Sequence, residues 1–179
     1  MNPGLGAAHA WVETLLDEAA RYRTGLMLLG PQGLGASKQR LLAARLMVGF
    51  LDYTELLSSR VPTGSQLVGV TRERLLEHLG EFCVGGQERG VLVANLDFGL
   101  AKLSEEDREV IWSVWREAFA HPRRAVIVTL PAASLGALIS TQAFNLFARQ
   151  GRVHGELPTV LAPASEGAPA PVKPQGDLS

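Results

Sequence analysis

The chain has 179 residues, enough for one domain with a substantial core and too few for two ordinary ones. Its 17 Lys and Arg stand against 18 Asp and Glu, and this net charge of −1 advertises no nucleic-acid backbone as ligand. Hydrophobic residues at 46% and charged residues at 20% point to a soluble globular protein, and no apolar stretch approaches membrane-spanning length.

The single Cys83 excludes an intramolecular disulfide and suits a reducing compartment. Within LLEHLGEFCV it reads as a small core residue rather than a nucleophile. The opening MNPGLGAAHAW has neither the basic start nor the apolar run of a signal peptide. A cytoplasmic protein with no membrane partner is the expectation.

Residues 7–21 place Ala8, Val12, Leu15, Leu16 and Ala19 on one helical face, with Glu13, Asp17 and Glu18 opposite. Residues 26–29 form a glycine-bounded apolar run that reads as a buried strand. A helix is predicted from Ala36 onward, with Leu41, Leu42, Arg45, Leu46 and Phe50 recurring at helical spacing. Residues 51–54 read as a short second strand, and residues 58–70, with Pro62 and Gly64, as a loop. Thr71 is placed to cap a helix over 72–82 built on Leu75, Leu76 and Leu79.

GVLVANL, residues 90–96, reads as a central strand. Ser104 followed by three acidic residues opens a helix striped by Ile111, Val114, Trp115 and Phe119, which His121-Pro122 stops. Residues 125–130 are a third buried strand ended by Pro131, 134–149 a helix, and 153–161 a last strand. Residues 162–179, with four prolines among Ala, Gly and Ser, read as a disordered tail after a single domain over 1–161. Apolar strands alternating with helices predict an α/β fold, a parallel sheet of about five strands with helices on both faces.

Between the first strand and its helix lies Gly30-Pro31-Gln32-Gly33-Leu34-Gly35-Ala36-Ser37-Lys38. It matches the P-loop pattern G-x-x-x-x-G-K-[ST] except that Ala36 replaces the lysine. A P-loop works by converging backbone N–H groups on phosphate oxygens at a helix N-terminus. Gly30, Gly33 and Gly35 supply that geometry, and Ser37 is placed to offer a hydroxyl to Mg²⁺. ATP with Mg is the cofactor such a loop would take. Losing one preorganised donor costs roughly 3–4 kcal/mol of transition-state stabilisation, so hydrolysis should suffer more than binding. Lys38 lies about 200° around the helix from Ala36, and its ammonium should point away from the cradle.

The acid that would hold Mg²⁺ is expected at Ala94 or Asn95, and neither is acidic. Asp97 comes late enough to fall in the following loop as a turn residue. Thr129, at the tip of the third strand, stands where a polar sensor of the terminal phosphate would sit. Asp97 and Thr129 are the remaining catalytic candidates. Arg60, Arg123 and Arg124 are the arginines that a neighbouring subunit could receive in trans.

From 25 to about 131, this layout resembles the P-loop NTPases of the AAA+ type. Within them FLDYTELLSSR and VLVANLDFGL resemble the BrxF family of small P-loop proteins from BREX phage-defence systems. The resemblance implies an AAA+-like core, ATP and Mg as cofactors, and protein partners in a multi-subunit complex. It aligns the Walker A lysine with Ala36 and the Walker B acid with Ala94, so the chain departs from the family at both charges.

Three functions follow as expectations. One is a catalytically degenerate subunit acting through protein partners, in an anti-phage assembly by the resemblance. Another is an active or partner-completed ATPase. The third is an adaptor resembling the non-hydrolysing subunits of DNA clamp loaders, touching nucleic acid indirectly. An open cradle would favour anion binding, and a loop collapsed onto Ala36 would favour scaffolding.

Overall fold

The computed structural model describes residues 3–60, 69–119 and 122–155. Five strands form one sheet in the order β2-β3-β4-β1-β5, and every recorded pairing is parallel. They are β1 (Thr24–Leu29), β2 (Gly49–Asp52), β3 (Gly90–Ala94), β4 (Ala125–Pro131) and β5 (Val153–His154). The helices are α1 (Pro3–Leu16), α2 (Ala36–Arg45), α3 (Tyr53–Ser59), α4 (Arg72–Val84), α5 (Leu96–Leu100), α6 (Glu105–Glu117), α7 (Leu135–Leu138) and α8 (Thr141–Arg149). The expected α/β architecture is therefore present. Among the described residues no helix is long and apolar enough to cross a membrane.

The period-two alternation of strand side chains divides the interior into two cores. Met27, Leu92, Ala125 and Ile127 join Val12, Leu15, Leu16, Ala43 and Leu46 of the α1–α2 side. Leu26, Leu28, Val91, Val93, Val126 and Val128 face the other way, onto Leu75, Phe82, Trp112, Trp115, Phe144 and Phe147. Both faces are buried, which is why these strands read as continuous apolar runs rather than alternating ones. At Gly25 an added Cβ would lie 2.6 Å from the Trp11 ring, so the glycine lets α1 pack directly on β1.

Several boundaries differ from expectation. The first helix stops at Leu16 rather than 21, because the Asp17 carboxylate accepts the Ala19 N–H (2.9 Å) and turns the chain. The helix α2 ends at Arg45, and Met47 takes φ 55°. Phe50 therefore belongs to β2, which runs 49–52 rather than 51–54. Asp52, which ends β2, caps α3, and this helix takes Tyr53 and Thr54 from the expected strand and Ser58 and Ser59 from the loop expected over 58–70; residues 61–68 of that loop lie outside the described residues.

The β3 strand ends at Ala94, and the short α5 follows in place of a loop. Ser104 does cap α6, accepting the Asp107 N–H at 3.1 Å; the expected stop at His121 lies outside the described residues. The single helix expected over 134–149 is broken. A 3₁₀ turn (Ala132–Ser134) leads into α7, Ile139 is extended, and Ser140 caps α8 through the Ala143 N–H (3.1 Å). The Leu138 carbonyl near that break accepts instead from Trp112 Nε1 at 2.7 Å. The last predicted strand is described only as Val153–His154, and the predicted tail lies outside the described residues.

The β5 edge is held by Arg152, which is fully buried. Its guanidinium donates to the carbonyls of Thr24 (2.8 Å), Arg116 (3.1 Å) and Trp115 (3.3 Å) and to the Thr24 hydroxyl. It also lies over the rings of Tyr22 and Phe147. Burial lowers its pKa to about 10.

Candidate functional site

In an open parallel sheet the ligand crevice lies beyond the carboxyl ends of the strands, where the strand order reverses. Here that edge gathers the glycine loop after β1, the tips of β2 and β3, and the end of β4. The loop begins with a 3₁₀ turn (Pro31–Gly33) in which the Gly33 N–H donates back to the Gly30 carbonyl at 2.9 Å. One amide that a phosphate cradle would use is thus already engaged. Gly35 adopts φ +102°, a conformation that favours glycine, and no side chain caps α2 behind it. A Cβ added at Gly30 or Gly35 would meet nothing within 4 Å, so the space beside these two glycines is open.

The acid side of the crevice is a cavity of about 130 Å³. Leu34, Gly35, Gln39, Asn95, Asp97, Thr129, Leu130 and Pro131 line it. Asp97, expected in a loop, stands instead in the first turn of α5 and reaches this cavity. Burial raises its pKa, and hydrogen bonds from its own N–H and that of Phe98 offset this only in part. Among the described residues it has no ion-pair partner.

Thr129 is not presented to a ligand. Its hydroxyl is buried, 2.6 Å from Gln39 Oε1 and 3.1 Å from the Val93 carbonyl. One hydroxyl proton cannot serve both acceptors. Turning the Gln39 amide so that its nitrogen faces Thr129 leaves the hydroxyl free to donate to Val93, and both contacts are then satisfied. Gln39 is itself only 2% exposed. A neutral pair thus fills the place expected for a phosphate sensor. Gln39 escapes a reading by motif, yet a polar residue in register with Ala43 and Leu46 on a core-facing stripe is a visible signal.

Asp52 was equally hidden. It lies beside Ala94 in the β2–β3 register, so an acid stands one strand away from the position expected to carry one. Its carboxylate caps α3 through the Thr54 N–H (2.9 Å) and hydroxyl (2.7 Å), and accepts from Asn95 Nδ2 at 2.8 Å. Burial opposes its charge, but hydrogen bonds from Asn95 and Thr54 outweigh it and hold the pKa below the ordinary carboxylate value. Asn95 takes the left-handed conformation (φ 60°), and this hydrogen bond braces it there. The Asp52–Tyr–Thr–Glu55 spacing is a capping-box pattern, which makes Asp52 recognisable in retrospect.

The remaining candidates are dispersed. Ser37 is exposed on the first turn of α2 and does not line the acid-side cavity. Lys38 flanks the outer side of the loop, lining a separate groove with Gly30, Pro31, Gln32 and Gly33, away from Asn95 and Asp97. Arg60 is held by Glu81 in a two-pronged pair. Arg124 donates to the Phe82 carbonyl (2.7 Å) and pairs with Glu88 (3.5 Å), so its guanidinium serves packing rather than a neighbour. Arg123 is exposed beside it at the start of β4. The strands being parallel, that end of the sheet is opposite the glycine loop. Cys83 is buried and its thiol is pushed up to about 12, which suits the expected inert core residue.

The residues present leave room for an anion above Gly30 and Gly35, but they do not fit a Mg-assisted phosphoryl transfer. Among the described residues no cationic side chain lines the acid-side cavity, and the Thr129 hydroxyl is engaged. Among the described residues no cluster of three or more His, Cys, Asp or Glu side chains stands ready for a metal ion.

No family model matches the chain, and no curated protein matches it. Among solved structures, a RuvB mutant from Thermotoga maritima is similar, with 17% identity and a TM-score of 0.39 over 84% of this chain. The match spans 41% of that protein's length. The fold described above rests on strand order and register.

Proposed function

We propose that this chain is a catalytically degenerate P-loop NTPase-like subunit that acts by binding protein partners. One observation carries the reading. Among the described residues the only ionisable side chain lining the acid-side cavity is Asp97, an acid without a cation beside it. Phosphoryl transfer depends on positive charge placed against the transferring oxygens. A cavity that offers a carboxyl and neutral amides there repels the charge it would have to stabilise. The short similarities to the BrxF family make an anti-phage assembly the context in which to seek the partners.

An ATPase assay on the purified chain tests this, with Gly35→Asp as the blocked-loop control. No turnover above that control is expected, from the parent or from Ala36→Lys. Turnover by the parent that Gly35→Asp abolishes would overturn the reading.

The open space above Gly30 and Gly35 favours a second reading, a nucleotide-responsive switch that binds without hydrolysing. Titration with ATP, alone and with co-purifying proteins, decides it. Saturable binding lost in Gly35→Asp supports it, and no binding under either condition removes it.

A further inference from the structure

The outer face of α2 carries Lys38, Leu41, Leu42 and Arg45, the i, i+3, i+4, i+7 pattern of a helix-contacting stripe. Gln39 and Ala43 of the same helix are buried, and Leu42 is half-buried against the α1–α2 core, whereas Lys38, Leu41 and Arg45 are exposed. Leu41, between the two cations on this stripe, is 55% exposed. With Leu5 and Ala8 of α1 on the far wall, the stripe lines a groove of about 710 Å³. Among the described residues no acidic side chain lines this groove. Among the described residues neither Lys38 nor Arg45 has an ion-pair partner, whereas Arg40 on the adjacent face pairs with Glu55 at 3.6 Å.

From this arrangement we infer that the groove between α1 and α2 docks an amphipathic helix of a partner protein. That helix presents two apolar side chains bracketed by Glu or Asp one residue-heptad apart. The cations stand two turns apart, about 10 Å along the axis at 1.5 Å per residue, which matches acids at i and i+7 of an aligned helix. Leu41 and Leu42 between them meet the apolar pair, the helix-in-groove mode of recognition. A compact polyphosphate would leave one cation and the exposed leucine unused. The Gly33 amide at the rim is moreover already bonded to Gly30.

The inference rests on the partner-binding reading above, yet the two fail separately. ATP turnover would remove that reading and leave the groove standing, while an empty groove would leave the reading and remove the groove. The probe is a phage-displayed library of helical peptides selected on the full chain, followed by anisotropy titration of the selected peptides. Selected sequences should carry acids seven residues apart around an apolar pair. Lys38→Glu/Arg45→Glu should weaken them about tenfold or more, and added salt should weaken them on the parent. Peptides with Lys in place of both acids should recover binding on that variant. Both side chains are exposed, so the variant should fold; an unchanged thermal melt checks this. No enrichment, enrichment without paired acids, or equal binding by the variant would refute the docking. Displacement of the selected peptides by ATP would refute it too, by making the groove a nucleotide site.

Discussion

The pair formed by Thr129 and Gln39 gives the sharpest quantitative test of how the crevice is built. Thr129→Val keeps the side-chain shape and removes the hydroxyl, leaving the Gln39 amide 2% exposed with its partner gone. Stranding a buried polar group costs about 1–3 kcal/mol. Gln39 borders the cavity of about 130 Å³, large enough to admit water. The cost should therefore fall in the lower half of that range, roughly 1–2 kcal/mol. Gln39→Leu leaves the Thr129 hydroxyl its second acceptor, the Val93 carbonyl, so its cost is about 1 kcal/mol or less. In the double variant both polar groups are gone and apolar side chains of similar size face each other, so the loss should shrink towards zero. A double-mutant cycle by urea unfolding, with m-values compared to confirm an unchanged transition, reads the coupling directly. Single losses that simply add in the double variant would refute the pairing.

Gly35→Ala should destabilise by about 1–3 kcal/mol through its backbone conformation alone (φ +102°, ψ 137°), since its new methyl group meets nothing. Gly99→Ala should cost about 1–3 kcal/mol through a clash with the Tyr53 ring, 2.7 Å from the added carbon. Thermal melts check both, and a relief of the Gly99→Ala loss by Tyr53→Leu but not of the Gly35→Ala loss separates the causes. Asp97→Asn should stabilise the protein at pH 7. With the folded pKa raised, the native state binds the proton more tightly than the unfolded one, so stability falls as pH rises through the folded value. The advantage should vanish once pH drops below the unfolded value near 3.8; a pH-independent difference would exclude ionisation as its source. Arg152→Met should cost roughly 3 kcal/mol or more, because it strands the buried contacts of the Thr24 and Trp115 carbonyls and the part-buried one of Arg116. Arg152→Lys should recover little, since an ammonium lacks the planar fork that reaches all three.

The sheet is legible in the residues because burial on both faces writes itself as unbroken apolar runs. Leu26–Leu29 and the 125–130 segment need no context to be read as strands. Ser104 is legible too, since an N-cap followed by acids is a purely local device. The break at Ile139–Ser140 is not, because the flanking leucines and phenylalanines keep helical spacing across it. Only the Trp112 indole, 26 residues away in the chain, tells the Leu138 carbonyl where to turn. Phe50 misleads for a similar reason: it sits at helical spacing from Leu42 and Leu46 while belonging to a strand. At the crevice the glycines are legible as a motif and the two empty charge positions as departures from it. Asp97 was misplaced because strand length, not residue type, sets which side chain reaches the edge. Arg152 carries no local mark that separates it from a surface arginine, and only the finished fold buries it.

The neutral company Arg152 keeps has a consequence for how the molecule comes apart. Its contacts run to carbonyls, a hydroxyl, an amide and two aromatic rings, none of which changes charge in acid. Asp52, at the far side of the sheet, holds its capping and Asn95 contacts as an anion and surrenders them on protonation. Acidification therefore works on the sheet unevenly. The β2 corner loosens through a carboxylate that loses its charge, and the β1–β5 edge through His154, whose half-buried imidazole must gain one.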